Sequence, residues 1–396
     1  MNEPTTKKRG FLCRWTGRLL KTAFVLIIVA IPAVYFGAPC LAKTNWAKGK
    51  AEAALTRLTG SPAHIDSMTM SWKTGFTVSN VRMDAINRGR LEITPTIKTL
   101  RFAPQAKTMC SSHKVGLTLV EPTIAIRERS EEVATPAPAC AGKNDCCASK
   151  GVHIENLVIE NGTVTYDCDA FNQPVTLKNL ALRAEVQVRN GRVNIELKQM
   201  TGRLNDGLVT ASGLFSIEPG TAKGSVNLEA TDVTANDVLA RVMKYLAPIF
   251  ETAAQGEVKG KVNLKLTAEG KGENAGAMIR AAKGQALLVF NGLVTDTRLM
   301  GAISARFQNP SLAGAPFDAV RANVVIADGA FLHQNTVAST PAGSISINGT
   351  VDRNDLNLLV RMDPNIFGGR DSEALRMLAE QGGLRVRGTM SQPIVE

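Results

Sequence analysis

Aromatic side chains are scarce, with 3 Trp, 3 Tyr and 13 Phe making up 5% of 396 residues. A core with so few rings has to be packed by aliphatic chains. Histidine is scarcer still. The four residues, His64, His113, His153 and His333, are far apart in sequence, which leaves little material for a His-built catalytic or metal centre. No G-x-S-x-G, H-E-x-x-H or G-x-x-x-x-G-K-[ST] motif occurs. Gly256-Glu257-Val258-Lys259-Gly260-Lys261 has the wrong spacing for a phosphate loop and opens a strand pattern. Gly270-Lys271-Gly272 lacks the strand–helix–strand setting of a dinucleotide fingerprint. Glu131-Glu132 opens a polar stretch and reads as solvated. The chain is therefore expected to be no enzyme, with no catalytic, cofactor-binding or metal-ligating residues.

Basic clusters interleaved with aromatics are also missing. The net charge is +11, but Lys7, Lys8, Arg9, Arg14, Arg18 and Lys21 stand against Glu3 alone in the first 21 residues. Further on, lysines such as Lys259, Lys261 and Lys265 alternate with apolar residues, as on a solvated strand face. This pattern argues against nucleic-acid binding.

One long hydrophobic run is present. Residues 22–42 carry no charge. As a helix they would rise roughly 31 Å, about the thickness of a bilayer's hydrocarbon layer. The basic residues lie on the N-terminal side, so the positive-inside rule places residues 1–21 in the cytoplasm and the remainder across the membrane. A cleaved signal peptide is the alternative, with Cys40-Leu41-Ala42 a poor cleavage site and the run too long. Of the seven cysteines, Cys110, Cys140, Cys146, Cys147 and Cys168 would be exported, where an oxidising compartment favours disulfides. Their odd number leaves at least one unpaired within the set, and the spacing does not fix the pairs. No C-x-x-C occurs, so a structural disulfide is favoured over a metal site.

Beyond the run the pattern becomes periodic. Residues 45–59 predict a helix closed by Gly60 and Pro62. Residues 43–128 form a first β unit with this leading helix, and 129–151 are a linker rich in Cys, Pro and Ala. Residues 152–396 form a second β region. Helices are expected at 235–247, 274–282 and 371–380, with Pro248 stopping the first. Elsewhere residues alternate apolar and polar, as half-buried strands do. Asn190-Gly191 has the composition of a two-residue hairpin turn. About fifteen antiparallel strands are expected, each with one aliphatic face. The fold class is mainly β: an N-terminal transmembrane helix, then a long curved antiparallel sheet forming an open trough, with a few short helices. The candidate lipid-facing residues are Val186, Val188, Val193, Ile195, Leu197, Val226, Leu228, Val262, Leu264, Leu266, Ile345, Ile347, Leu356, Leu358 and Val360. Alternation alone leaves two outcomes open: the faces stay uncovered as a trough, or they close on one another as a core.

Several segments carry a resemblance. Leu58-Thr59-Gly60, His64-Ile65-Asp66-Ser67-Met68 and Gly75-Phe76-Thr77-Val78-Ser79-Asn80-Val81 resemble the opening of the AsmA-like family. Val120-Glu121-Pro122-Thr123-Ile124-Ala125-Ile126-Arg127 resembles the end of that family's first unit. Residues 284–292, Asp328-Gly329, 344–349 and 386–394 are similar to its C-terminal region. The Cys-rich linker departs from the family pattern. The resemblance implies an inner-membrane anchor and a periplasmic trough in a Gram-negative type envelope, and it supplies no catalytic residues. It also implies phospholipid as partner, bound or transferred along the trough, with other envelope proteins as further partners. The alternative from another class is a structural scaffold that modulates outer-membrane protein assembly through strand edges and loops, without lipid transfer.

Overall fold

The computed structural model describes residues 42–71, 75–88, 91–104, 114–128, 152–168, 174–189, 192–253, 255–273, 275–308, 310–341, 343–352, 355–363 and 382–396. The first described element is helix α1 (Asn45–Thr59), at the predicted bounds. The Thr44 hydroxyl accepts the Ala47 N–H, and Gly60 ends the helix in the left-handed region at φ 76°, which glycine adopts without a Cβ penalty.

Eighteen strands follow and form one sheet. In the first part these are β1 (Ala63–Ser71), β2 (Gly75–Met83), β3 (Ile86–Arg88), β4 (Leu91–Pro104) and β5 (Lys114–Glu128). The middle holds β6 (Val152–Cys168), β7 (Val175–Arg189), β8 (Arg192–Leu204), β9 (Gly207–Glu218), β10 (Thr221–Thr234) and β11 (Val258–Gly272). The remainder are β12 (Lys283–Val294), β13 (Phe317–Ala327), β14 (Ala330–Thr340), β15 (Gly343–Asp352), β16 (Asp355–Met362), β17 (Leu384–Thr389) and β18 (Pro393–Val395). Each strand pairs with its neighbour in the chain, except that β2 and β3 both lie along β4. Arg189 and Arg192 face each other across the predicted Asn190-Gly191 hairpin.

One pairing departs from the expected antiparallel order. β5 and β6 run parallel, with Lys114 beside His153 and Glu128 beside Cys168. A parallel neighbour requires the chain to travel back the length of a strand, here roughly 50 Å at ~3.3 Å per residue. Residues 129–151 supply that return. They therefore connect two neighbouring strands of one sheet.

Positive-φ residues within the strands mark where the sheet bends. Asn80, Asn161, Asn179, Asp232 and Asn335 adopt φ between 52° and 65°. Register shifts fall at several of them, including Ile159/Gly162, Lys178/Ala181, Ala230/Val233 and His333/Thr336. A bulge of this kind adds one residue to one strand, which increases local twist and curls the sheet.

The remaining described helices are α2 (Asp237–Met243), α3 (Ala275–Arg280) and α4 (Arg298–Phe307). α2 is shorter than predicted because the chain leaves helical geometry after Lys244, and Pro248 opens a 3-10 turn (Pro248–Phe250) where a stop was expected. α4 was not anticipated. Its Thr297 cap and its buried Leu299, Met300 and Ile303 are at helical spacing, but they follow a strand directly. The predicted helix at 371–380 lies outside the described residues.

The core has two parts, one towards each end of the sheet. In the first, Ala51 and Leu55 of α1 pack on Ile65, Val78, Val81, Ile97 and Leu100. In the second, larger part, α2, the 3-10 turn and α4 cover β11 to β17. Phe250 meets Phe290 edge to face, with centroids 5.2 Å apart at 86°. Each fully buried Leu, Ile or Phe there contributes about 1.5–3 kcal/mol relative to exposure.

The sheet edges are blunted. On β1, the Ala63 N–H donates to Thr56 Oγ1 (3.1 Å) and the Ile65 N–H donates to Glu52 Oε1 (2.8 Å), so α1 side chains occupy positions a further strand would need. β18 is three residues long and begins with proline, which has no N–H to offer. Short edges, proline and covering side chains are the usual defences against edge pairing.

Candidate functional site: one aliphatic face, closed at both ends

The ladder register shows which side chains share a face. Val188 faces Val193, and Val186 faces Ile195. Val226 faces Ala268 and Leu228 faces Leu266 across β10 and β11. Leu264 faces Leu288, Ile347 faces Val360, and Leu358 faces Val386. Followed strand to strand, all fifteen candidate residues lie on a single face of the sheet.

Burial divides them into three groups. Val262, Ile345, Ile347, Leu356, Leu358 and Val360 are buried in the C-terminal core. The chain closes over these six itself, because α2, the 3-10 turn and α4 pack on the same face. Leu228, Leu264 and Leu266 sit half-buried at the margin of that core. Val186, Val188, Val193, Ile195, Leu197 and Val226 are half-buried and belong to neither cluster. The apolar face is thus covered by α1 at one end and by the second helical layer at the other. Between them, over the middle of β6 to β10, it carries aliphatic residues that belong to neither packed cluster, while α3 rests on this face at one rim, with Met278 against Gly224 and Gly270. The open-or-closed question has both answers in one sheet.

The opposite face is polar and pinned. Glu185 takes hydrogen bonds from Gln187 (2.8 Å) and from the His153 ring (2.7 Å), and pairs with Lys198 at 3.4 Å. These partners, Gln187 foremost, hold its carboxyl at about 2. The node ties β6, β7 and β8 together on the side away from the aliphatic row. Near the parallel seam the Tyr166 hydroxyl donates to Glu128, which raises the phenol well above its ordinary range.

A cleft of about 820 Å³ crosses β7 to β12 near one rim. Its lining includes Ile195, Leu214, Phe215, Lys223 and Lys271. Only Ile195 of these was a candidate. Leu214 and Phe215 are adjacent apolar residues, and in a strand they place one side chain on each face. That break in alternation is the signal that could have singled them out. α3 seats beside the cleft on Gly270, where an added Cβ would stand 2.4 Å from the Met278 carbonyl oxygen.

His333 is the buried polar residue with most at stake. It is 1% exposed, and its Nδ1 lies 3.1 Å from the Thr336 hydroxyl. Its Nε2 has no well-formed hydrogen bond among the described residues, although the Tyr245 backbone lies close enough to favour the proton. Burial wins and lowers its pKa from 6.5 to about 4. The folded state therefore prefers the neutral ring. This contribution is complete above pH 6.5, is lost as pH falls towards 4, and amounts to roughly 3 kcal/mol over that window. Urea unfolding at pH 7 and pH 4.5 should show the loss, and His333→Gln should flatten it.

Among the described residues, no group of three or more His, Cys, Asp or Glu is placed to hold a metal. Cys168 is half-buried and unbridged among them, and the other six cysteines lie outside them. No described helix is long and apolar enough to cross a membrane, and residues 22–41 of the expected span lie outside the described part.

Fold and face define a class: a single long, curved β-sheet with a continuous aliphatic face that its own helices cover at the two ends and at one rim. Neither a known protein-family model nor a curated protein sequence matches the chain.

Proposed function

We propose that this protein is a non-enzymatic, inner-membrane-anchored periplasmic protein that binds or transfers phospholipid in the uncovered middle of its sheet. The observation that carries the reading is the aliphatic row from Val186 to Val226, which shares a face with the closed core but stays half-buried and outside both packed clusters. Acyl chains are the complement of such a surface. Each CH₂ buried there contributes about 0.8 kcal/mol, and a chain sliding along the row exchanges like for like. The uncharged run at 22–42 and the AsmA-like resemblance point to the same setting.

Eighteen strands at ~4.8 Å span at most roughly 80 Å, and the covered ends shorten the usable length. A carrier or one station of a longer path fits this length better than a complete bridge. The blunted edges weigh against the scaffold reading, which needs strand edges free for partners.

The test is photo-crosslinking in cells, with the probe at Leu197 or Val226 and a control at Asn227 on the opposite face. Phospholipid is expected on the first two and not on the control. Crosslinks only to other parts of this chain at all three sites would turn the reading towards a scaffold.

A further inference from the structure

The register places like charges directly opposite each other at two points of the 820 Å³ cleft. Lys223 faces Lys271 across β10 and β11, and Glu185 faces Glu196 across β7 and β8. Facing like charges destabilise a sheet. The acidic pair is relieved by the His153, Gln187 and Lys198 contacts to Glu185. The third lysine of the cleft, Lys283, lies 3.7 Å from Asp328 and faces Glu269 in the ladder. Lys223 and Lys271 are the exception, with no ion pair among the described residues.

Two more features point to a ligand. The Ser216 hydroxyl lies next to Lys223 in the ladder and donates to Asn194 Oδ1 at 2.7 Å, so the polar row continues from the lysines. Leu214, in the same cleft, is 59% exposed, an unusual cost for a large aliphatic side chain in a polar row.

We infer that the cleft is a binding site for a phosphate-bearing amphiphile. Its phosphate is held between Lys223 and Lys271, and its apolar portion lies on Leu214, which stands on the same face of the sheet. A phosphate between the two ammonium groups removes their repulsion. Glu269, on the same face beside both lysines, offsets one of their charges, so a singly charged phosphodiester is preferred to a monoester. The site lies on the face opposite the aliphatic row and stands apart from the lipid reading.

The experiment measures binding of three probes to the full chain in detergent: phosphatidylglycerol with a fluorescent acyl chain, the corresponding fluorescent diacylglycerol, and glycerol 3-phosphate. Lys223→Glu is the decisive variant. It sets opposite charges face to face, so thermal stability should hold or rise while phosphatidylglycerol binding falls at least tenfold. Lys223→Gln with Lys271→Gln should weaken the same probe and leave diacylglycerol unchanged. Phosphatidylglycerol binding to Lys223→Glu at the wild-type level would overturn the site, even with lipid still captured at Leu197. Lysine-dependent binding of glycerol 3-phosphate, with no lipid at Leu197, would retain the phosphate site and overturn the acyl reading.

Discussion

Replacing Ile347 with aspartate should unfold the C-terminal part of the sheet. Ile347 is 0% exposed, between the ladder and the helical layer, and it faces Val360. Its other cross-strand neighbour is Thr336. An unpaired carboxylate at such a site costs about 4 kcal/mol or more, a large share of the ~5–15 kcal/mol that stabilises an ordinary domain. The urea midpoint should collapse or the protein should fail to accumulate. Val226→Asp is the matched contrast on the same face. Val226 is half-buried and outside both clusters, so its carboxylate can reach water. Its expected cost is about 1 kcal/mol, with lipid crosslinking at Leu197 lost. Equal destabilisation by the two variants would mean that the middle of the face is closed.

Phe290→Ala should be the most damaging truncation. The ring is fully buried, meets Phe250 edge to face, and stands over Gly260 on the neighbouring strand, where a Cβ would come within 2.8 Å of it. It therefore joins the 3-10 turn to the sheet and fills the space the glycine leaves. Removing it forfeits the transfer term and opens a cavity, together about 3–5 kcal/mol. Phe290→Leu should recover most of this, since an aliphatic chain keeps part of the volume. Urea titration of the two variants beside wild type would measure the difference. A loss under 1 kcal/mol for alanine would show that the turn does not depend on this contact.

Much of the sheet could be read from alternation. Val186 and Val188, Ile345 and Ile347, and Leu356, Leu358 and Val360 share a face because the strand period is two. α1 was legible from its apolar spacing and its closing glycine, Gly60. The parallel seam was not, because an alternating strand reads the same in either direction. The direction of β6 depends on how residues 129–151 return, which no local pattern encodes. α4 was missed because its apolar stripe is short. The cleft was missed because cross-strand neighbours such as Lys223 and Lys271 become neighbours only through register.

By itself the sequence determined the class of the fold, the side each strand residue takes, and the aliphatic character of the inner face. These follow from period, composition and turn chemistry, all local properties. Only the tertiary structure decided where that face is covered. Ile347 and Val226 look alike in their strands; one lies beneath α2, the 3-10 turn and α4, and the other does not. The covering layer is held by contacts between distant parts of the chain, such as Arg298 donating to the Ser391 carbonyl at 3.3 Å. Burial is a property of what arrives from elsewhere in the chain, and so the division into closed core and open face is written in the packing.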